Sequence, residues 1–126
     1  MKAVTATDAP APVGPYSQAV VQGKLLFVSG QIPLDPKTGS LVEGGIEAQT
    51  ERVLSNLQAI LEAAGTSLAR VVRTTVYVTD LALFGRINEV YARFFCADPA
   101  PARATLQVAA LPLGAEVEID AIAALD

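Results

Sequence analysis

The chain has 126 residues, 52% of them apolar and 17% charged, with a formal net charge of −4. This length and composition predict one globular domain over residues 1–126, and the acidic balance argues against nucleic acid as a partner. The sequence contains no histidine and a single cysteine, Cys96. These absences exclude an internal disulfide, the usual zinc and haem sites and a Ser-His nucleophile.

No apolar run approaches the roughly 18 residues of a membrane-spanning helix. The first twenty residues also lack the basic and apolar regions of a signal peptide. We therefore expect a cytoplasmic protein with no membrane partner. The apolar share is generous for a monomer of this size, which favours an oligomer.

The N-terminal third predicts an arm followed by a hairpin. Residues 1–15 include three prolines, which is typical of an extended arm without regular structure. Residues 18–21 and 25–29 favour strands, with a turn at Gly23. At the end of the second strand, Gly30 can turn backbone N–H groups toward a ligand and Ser29 adds a hydroxyl. A simple strand end explains the same two residues, and the sequence alone favours that interpretation.

A turn-rich loop over residues 33–45 precedes the first helix. Apolar residues at spacings of three, four and seven form one stripe between Ile46 and Ala64, and Gly65 has the position of a C′ glycine. Residues 71–78 are rich in Val and Thr and predict a central strand, because neither face carries much charge. Asp80 then offers an N-cap to a second helix.

Two polar residues of the second helix have alternative interpretations. Asn88 lies close to the apolar stripe, where it either binds backbone groups or faces an interface. Cys96, at the helix end, is expected to pack as a small apolar residue.

The C-terminal part predicts two more strands and two charges that need an explanation. Arg103 lies where a proline-rich loop enters a strand, and Glu118 lies in a strand whose residues alternate between polar and apolar. Arg103 is suited to binding a carboxylate bidentately, whereas a solvated edge residue is the ordinary alternative. Glu118 is either functional or simply the polar half of the alternation. Residues 111–114 look like a tight hairpin between the two strands. The complete pattern predicts an α+β fold with two helices on one face of a mixed sheet.

Seven segments in order resemble the RidA (YjgF) family of reactive intermediate deaminases. They are Gly14-Pro15-Tyr16-Ser17-Gln18-Ala19, Val28-Ser29-Gly30-Gln31-Ile32-Pro33, Asn56-Leu57 with Ala63-Ala64-Gly65, Thr74-Thr75-Val76-Tyr77-Val78, Asn88 with Tyr91 and Phe94-Phe95, Pro101-Ala102-Arg103, and Glu116-Val117-Glu118-Ile119-Asp120-Ala121-Ile122-Ala123. Each segment is weak alone, but the ordered set covers nearly the whole chain and is specific.

The resemblance implies a chorismate-mutase-like fold with a mixed six-stranded sheet, assembled as a homotrimer around a central barrel. It also implies that the strand of Glu118 lies between strands 25–29 and 71–78, and that Arg103 begins an edge strand. The hairpin expected at residues 111–114 would then be wrong. Binding sites would lie in three clefts between subunits.

The activity implied by the resemblance is hydrolysis of 2-enamine and 2-imino acids, such as 2-aminoacrylate, to 2-keto acids and ammonia. Arg103 would hold the substrate carboxylate, helped by Ser29 and the Gly30 N–H, and Glu118 would activate water. The implied reaction needs no metal and no cofactor, which agrees with the missing histidines. In the same comparison, Tyr16 would close the cleft, Asn88 would support the site or the subunit contact, and the Thr105 hydroxyl would line the cleft.

Thr105 departs from the family pattern, since some deaminase members carry cysteine at this position. Thiol-based regulation at this position is therefore doubtful here. Two alternatives to the deaminase remain open: a non-catalytic member that binds keto acids or proteins, and, with less support, a ribonuclease or translation inhibitor.

Overall fold

The computed structural model describes residues 1–126 as one six-stranded sheet and two α-helices. In chain order the elements are β1 Lys2–Val4, β2 Ala19–Gln22, β3 Leu25–Gln31, α1 Ile46–Ala63, β4 Val71–Val78, α2 Phe84–Phe94, β5 Ala102–Gln107 and β6 Val117–Ala124. Short 3-10 helices occupy Leu68–Arg70, Leu81–Leu83 and Pro112–Gly114. This is the α+β fold that the sequence predicts. Neither α-helix is long and apolar enough to cross a membrane.

The strand order is β1-β2-β3-β6-β4-β5, and only the β4–β5 pair is parallel. The hairpin expected at residues 111–114 is therefore wrong, because β4 lies between β5 and β6. The chain does reverse there, with positive φ angles at Leu113 and Gly114, but it then crosses to the far side of β4, where β6 pairs with β4 and β3. The strand order implied by the family resemblance is confirmed, including the edge position of β5.

Alternation along the strands divides the sheet into a covered face and an uncovered face. Residues of β6 alternate strictly between buried and half-buried, beginning with the buried Val117. The buried set packs with α1 against the core, and α1 in turn contacts α2. The opposite face carries no helix, and large apolar side chains on it, Leu25, Phe27 and Leu106, are each 40% exposed.

Local sequence signals explain the helix boundaries. α1 ends with Gly65 at φ +83°, and the N–H groups of Gly65 and Thr66 donate to the carbonyls of Glu62 and Leu61. This is the Schellman arrangement that the C′ glycine predicts. Asp80 accepts a hydrogen bond from the N–H of Ala82, so it caps the short 3-10 turn that leads into α2.

Two expectations for irregular segments need correction. The N-terminal arm is regular at its start, because residues 2–4 pair with β2 as β1. The rest of the arm is fixed by the buried side chain of Gln18, which bonds the backbone of Ala6, Ala9 and Pro10. Cys96 is exposed, not packed, because α2 ends at Phe94 and it is the ring of Phe95 that turns inward.

Candidate active site

A cleft of about 420 Å³ opens where β3 ends and β6 begins. Its floor includes Ser29, Gly30 and Glu118, and one wall is formed by the N-terminal arm. The arm keeps this position because Gln18, itself 3% exposed, satisfies its amide group entirely with arm backbone. Tyr16 lies at the cleft and is 50% exposed. The structure therefore brings four of the predicted site residues together.

Gly30 allows Glu118 to lie against the backbone of β3. A Cβ atom on Gly30 would overlap Glu118 Oε2 and would lie 2.9 Å from Cδ of the same side chain. The β3–β6 pairing shifts register between Val28 and Gln31, so Gly30 lies within an irregularity of the ladder. The glycine is thus needed for the close approach of the carboxylate.

The Glu118 carboxylate has an elevated proton affinity. Partial burial raises its pKa above the ordinary glutamate value, and the neighbouring charge of Asp120 raises it further. Glu118 has no ion pair, since the only salt bridge in the chain joins Arg86 and Glu47. A carboxylate whose pKa lies closer to neutrality is a better proton acceptor than an ordinary one.

Ser29 and Tyr16 have hydrogen-bond partners that limit what they offer a ligand. The Ser29 hydroxyl donates to the Ser17 carbonyl at 2.6 Å, so while that bond holds the oxygen can accept but not donate. The Tyr16 hydroxyl accepts a long 3.4 Å bond from the N–H of Val13, which leaves its proton free. Of the two, Tyr16 is the available donor in this cleft.

Arg103 lies in a second group of residues, at the edge strand β5. Its Nη1 donates to Asn88 Oδ1 at 2.8 Å, and its guanidinium carbon lies 5.1 Å and 4.8 Å from the ring centroids of Phe84 and Tyr91. The Tyr91 ring is itself fixed by a 2.7 Å hydrogen bond between its hydroxyl and that of Thr74. Aromatic faces attract a guanidinium, so α2 holds Arg103 in one orientation while it remains exposed.

Thr105 lies on the same strand, and its Oγ1 atom is buried without a hydrogen-bond partner. By register it shares the helix-covered face with Arg103, because Arg103 is paired with Thr74 and Thr105 with Val76. Six of the seven predicted site residues have polar side chains, and these six divide into two sets. Ser29, Tyr16 and Glu118 belong to the cleft, and Arg103, Asn88 and Thr105 to the β5 edge.

The two sets lie on opposite faces of the sheet. Glu118 is paired with Tyr77 on the uncovered face, whereas Arg103 is paired with Thr74 on the face covered by α2. Three residues along β4 and two strand spacings separate the pairs, so the two Cα atoms are about 14 Å apart. Within one chain, the carboxylate and the guanidinium cannot contact the same small molecule.

The sequence analysis missed the residues that position these groups. Phe84 and Tyr91 are seven residues apart on one helix face, and this spacing alone indicates nothing more than the apolar stripe of an amphipathic helix. Their position opposite an arginine on a neighbouring strand becomes visible only with the parallel β4–β5 register. Gln18 was assigned to a strand, although its place after a proline-rich arm is the signal that could have indicated an anchor.

Comparisons with known proteins identify the family of this chain. Residues 6–125 match the family model described as Endoribonuclease L-PSP. The protein DfrA of Myxococcus xanthus is 56% identical over 97% of this chain and 94% of its own length. The mouse 2-iminobutanoate/2-iminopropanoate deaminase is 49% identical over 97% of this chain and 90% of its own length.

A solved structure shows the same fold. Escherichia coli TdcF, crystallised with bound serine, superposes with a TM-score of 0.93 at 42% identity, covering 98% of both chains. The fold, the family model and relatives at about half identity all point the same way. The chain belongs to the RidA (YjgF) family.

Proposed function

We propose that this protein is a 2-iminobutanoate/2-iminopropanoate deaminase that hydrolyses 2-enamine and 2-imino acids, of which 2-aminoacrylate is the simplest. An enamine first takes up a proton at C3 and becomes the imine. Water then adds to the carbon of the C=N bond, the nitrogen takes up a proton, and the C–N bond breaks to give a 2-keto acid and ammonia. The family membership and the name of the mouse relative support the reaction class. No cofactor takes part in the proposed reaction.

The single observation that carries the proposal is the state of Glu118. The carboxylate lies in the cleft beside Gly30, has no cationic partner, and has a raised pKa because it is partly buried. A structural glutamate at such a position would be expected to have a counter-ion or a hydrogen bond. The arrangement suits a base that takes a proton from the attacking water.

Arg103 is proposed to bind the substrate carboxylate. Only Nη1 of its guanidinium is used, by Asn88, so the remaining N–H groups are free for a bidentate contact with a carboxylate. Asn88 and the rings of Phe84 and Tyr91 hold the guanidinium in place before the substrate arrives, which lowers the entropy cost of binding. Thr105, with its unpartnered hydroxyl, is proposed to line the same side of the site.

The proposed reaction needs a second copy of the chain, because Glu118 and Arg103 lie on opposite faces. We propose a homotrimer in which the uncovered sheet faces line a central barrel and the β5 edge of one subunit lies against the cleft of its neighbour. Each site then combines Glu118 of one subunit with Arg103 of the next. The exposed apolar side chains on the uncovered face support burial by another copy. In this arrangement Tyr16 closes the cleft and donates its hydroxyl proton, while Ser29 and Gly30 shape the floor beside Glu118.

A second candidate function is binding of small carboxylic acids without catalysis. It is favoured by the serine bound to Escherichia coli TdcF, a ligand with a carboxylate and no C=N bond. This function would require Arg103 but not Glu118. The two candidates therefore differ in what they predict for a variant at Glu118.

The decisive measurement is the formation of pyruvate from 2-aminoacrylate that a serine dehydratase generates in situ. We expect the wild type to accelerate it, Glu118→Gln to reduce the enzymatic rate by about 10²–10⁴-fold, and Arg103→Ala to reduce kcat/KM by about 10–100-fold. Glu62→Gln and Arg93→Ala change the same residue types at exposed positions of α1 and α2 and serve as matched controls. A wild type that leaves the uncatalysed rate unchanged but still binds pyruvate would support the binding function instead.

A further inference from the structure

Three polar side chains form a group on the uncovered face of the sheet. Glu118 and Asp120 are two residues apart on β6, so their side chains point the same way and are about 7 Å apart at their origins. Tyr77 of β4 is paired with Glu118 in the β4–β6 register, and Thr75 is paired with Asp120. Tyr77 therefore stands beside the base while remaining close to the second carboxylate.

Tyr77 bonds the second carboxylate and not the first. Its hydroxyl donates to Asp120 Oδ2 at 3.0 Å, diagonally across the two strands. Burial and the hydrogen bond to Asp120 both raise the pKa of Tyr77, so the phenol stays protonated and keeps its role as donor. The Asp120 carboxylate is consequently held in one place near Glu118.

No cation within the chain neutralises this pair of carboxylates. The charged and titratable groups that face Glu118 are Asp120 on its own strand, Tyr77 and the more distant Arg73 on β4, and Tyr16 at the cleft mouth. Arg73 is exposed, and the only salt bridge in the chain is the distant one between Arg86 and Glu47. On β3 the neighbours are Ser29 and Gly30, which carry no charge. Two causes thus raise the pKa of Glu118: its partial burial and the negative charge of Asp120.

We propose that Asp120 is a positioning residue for the reaction, anchored by Tyr77, and that its fixed negative charge adds to the effect of burial on the proton affinity of the base Glu118. The inference rests on the proposed function, because it assigns Asp120 and Tyr77 through the catalytic role of Glu118. The pKa of Glu118 is raised by burial first and by the charge of Asp120 second, which agrees with the geometry. Asp120 and Tyr77 do not touch the substrate in this proposal.

The charge of Asp120 determines the direction in which the pH profile should move. A negative charge nearby favours the protonated form of Glu118, and only the ionised form accepts a proton from water. Activity should therefore fall as the pH drops through the raised pKa of Glu118. Removing the charge of Asp120 makes Glu118 easier to ionise, so the acidic limb of the pH profile should move to lower pH.

The test compares kcat/KM for 2-aminoacrylate against pH in the wild type, Asp120→Asn, Asp120→Glu and Tyr77→Phe. We expect the acidic limb to shift to lower pH in Asp120→Asn and to stay closer to the wild-type position in Asp120→Glu, which keeps the charge. Tyr77→Phe should shift the limb in the same direction but less far, because the untethered carboxylate turns toward solvent. An Asp120→Asn profile that coincides with the wild-type limb would overturn the proposal.

A second readout separates this proposal from the proposed function. The carboxyl carbon of Glu118 can be titrated by NMR in protein labelled with ¹³C-glutamate, with Glu118→Gln identifying its signal. We expect the Glu118 titration to move to lower pH in Asp120→Asn even if the protein shows no deaminase activity. A Glu118 titration that is the same in Asp120→Asn and the wild type, in variants that melt as the wild type does, would refute the role of Asp120.

Discussion

The two halves of the candidate site are built in opposite ways. Glu118 is half-buried beside Gly30, has no ion pair and has a raised pKa, so burial keeps it reactive. Arg103 is exposed and its long side chain has many rotamers, so Asn88 and two aromatic rings restrict its motion. The surroundings of Glu118 thus change its pKa, whereas the contacts of Arg103 fix its orientation. The sheet separates the two residues. Each has the neighbours that position it, but neither half can bind and hydrolyse a substrate alone.

The largest expected effect concerns this separation. Arg103→Ala and Glu118→Gln should each be nearly inactive alone, but a random one-to-one mixture of their subunits should recover about a quarter of the wild-type rate, since each site takes one charge from each of two neighbours. Activity of co-expressed or refolded mixtures is the measurement. The control is a mixture of wild type with the double variant, which should also retain about a quarter. Sites formed within single chains would instead give no recovery in the first mixture and about half in the control.

The second prediction concerns Gly30, which leaves room for the carboxylate of the base Glu118. In Gly30→Ala the new methyl group should displace the Glu118 carboxylate, because the atoms it would overlap belong to the mobile end of that side chain. A displacement of about 1 Å can lower the rate by about 10²-fold, so we expect a loss of that order in kcat with little change in the melting temperature. Gly85→Ala, where a Cβ meets nothing within 4 Å, is the control. Full activity in Gly30→Ala would show that the position of Glu118 is not critical.

A smaller loss is expected when the contacts that orient Arg103 are removed. Phe84→Leu and Asn88→Ala each remove one contact that orients Arg103, and each contact contributes about 1 kcal/mol. We expect KM to rise by about three- to tenfold with a smaller change in kcat, because the carboxylate is bound in the ground state and in the transition state. Steady-state kinetics with Glu89→Ala, an exposed residue of α2, as control would test this. A fall in kcat at unchanged KM would assign these residues to the chemical step instead.

Local features of the structure could be predicted well because their signals are local. The span of β4 and the end of α1 at Gly65 follow from neighbouring residues alone, and the structure confirms both. Asp80 caps the short 3-10 turn Leu81–Leu83 and not α2 itself, whose N-cap is Leu83, so that prediction was right about the residue and wrong about the helix. Arg103 and Glu118 are likewise marked by their residue types at strand positions, and the family resemblance adds to that signal. The missed β1 strand has too few residues to produce an alternation.

Strand pairing between distant parts of the chain could not be predicted in this way. Nothing in residues 111–114 reveals that the following strand passes β4, and the hairpin prediction failed for that reason. The contact of Arg103 with Phe84 and Tyr91 depends on the parallel β4–β5 register, and the bond between Tyr77 and Asp120 depends on the antiparallel β4–β6 register.

The fold class, the family resemblance and the two charges that call for a function could all be read from the amino-acid sequence, because periodicity, capping and residue type are carried by short stretches of chain. That these two charges lie on opposite faces of the sheet became visible only in the folded chain. The face on which a residue lies depends on strand register, and register is set by the burial of one complete face against the helices.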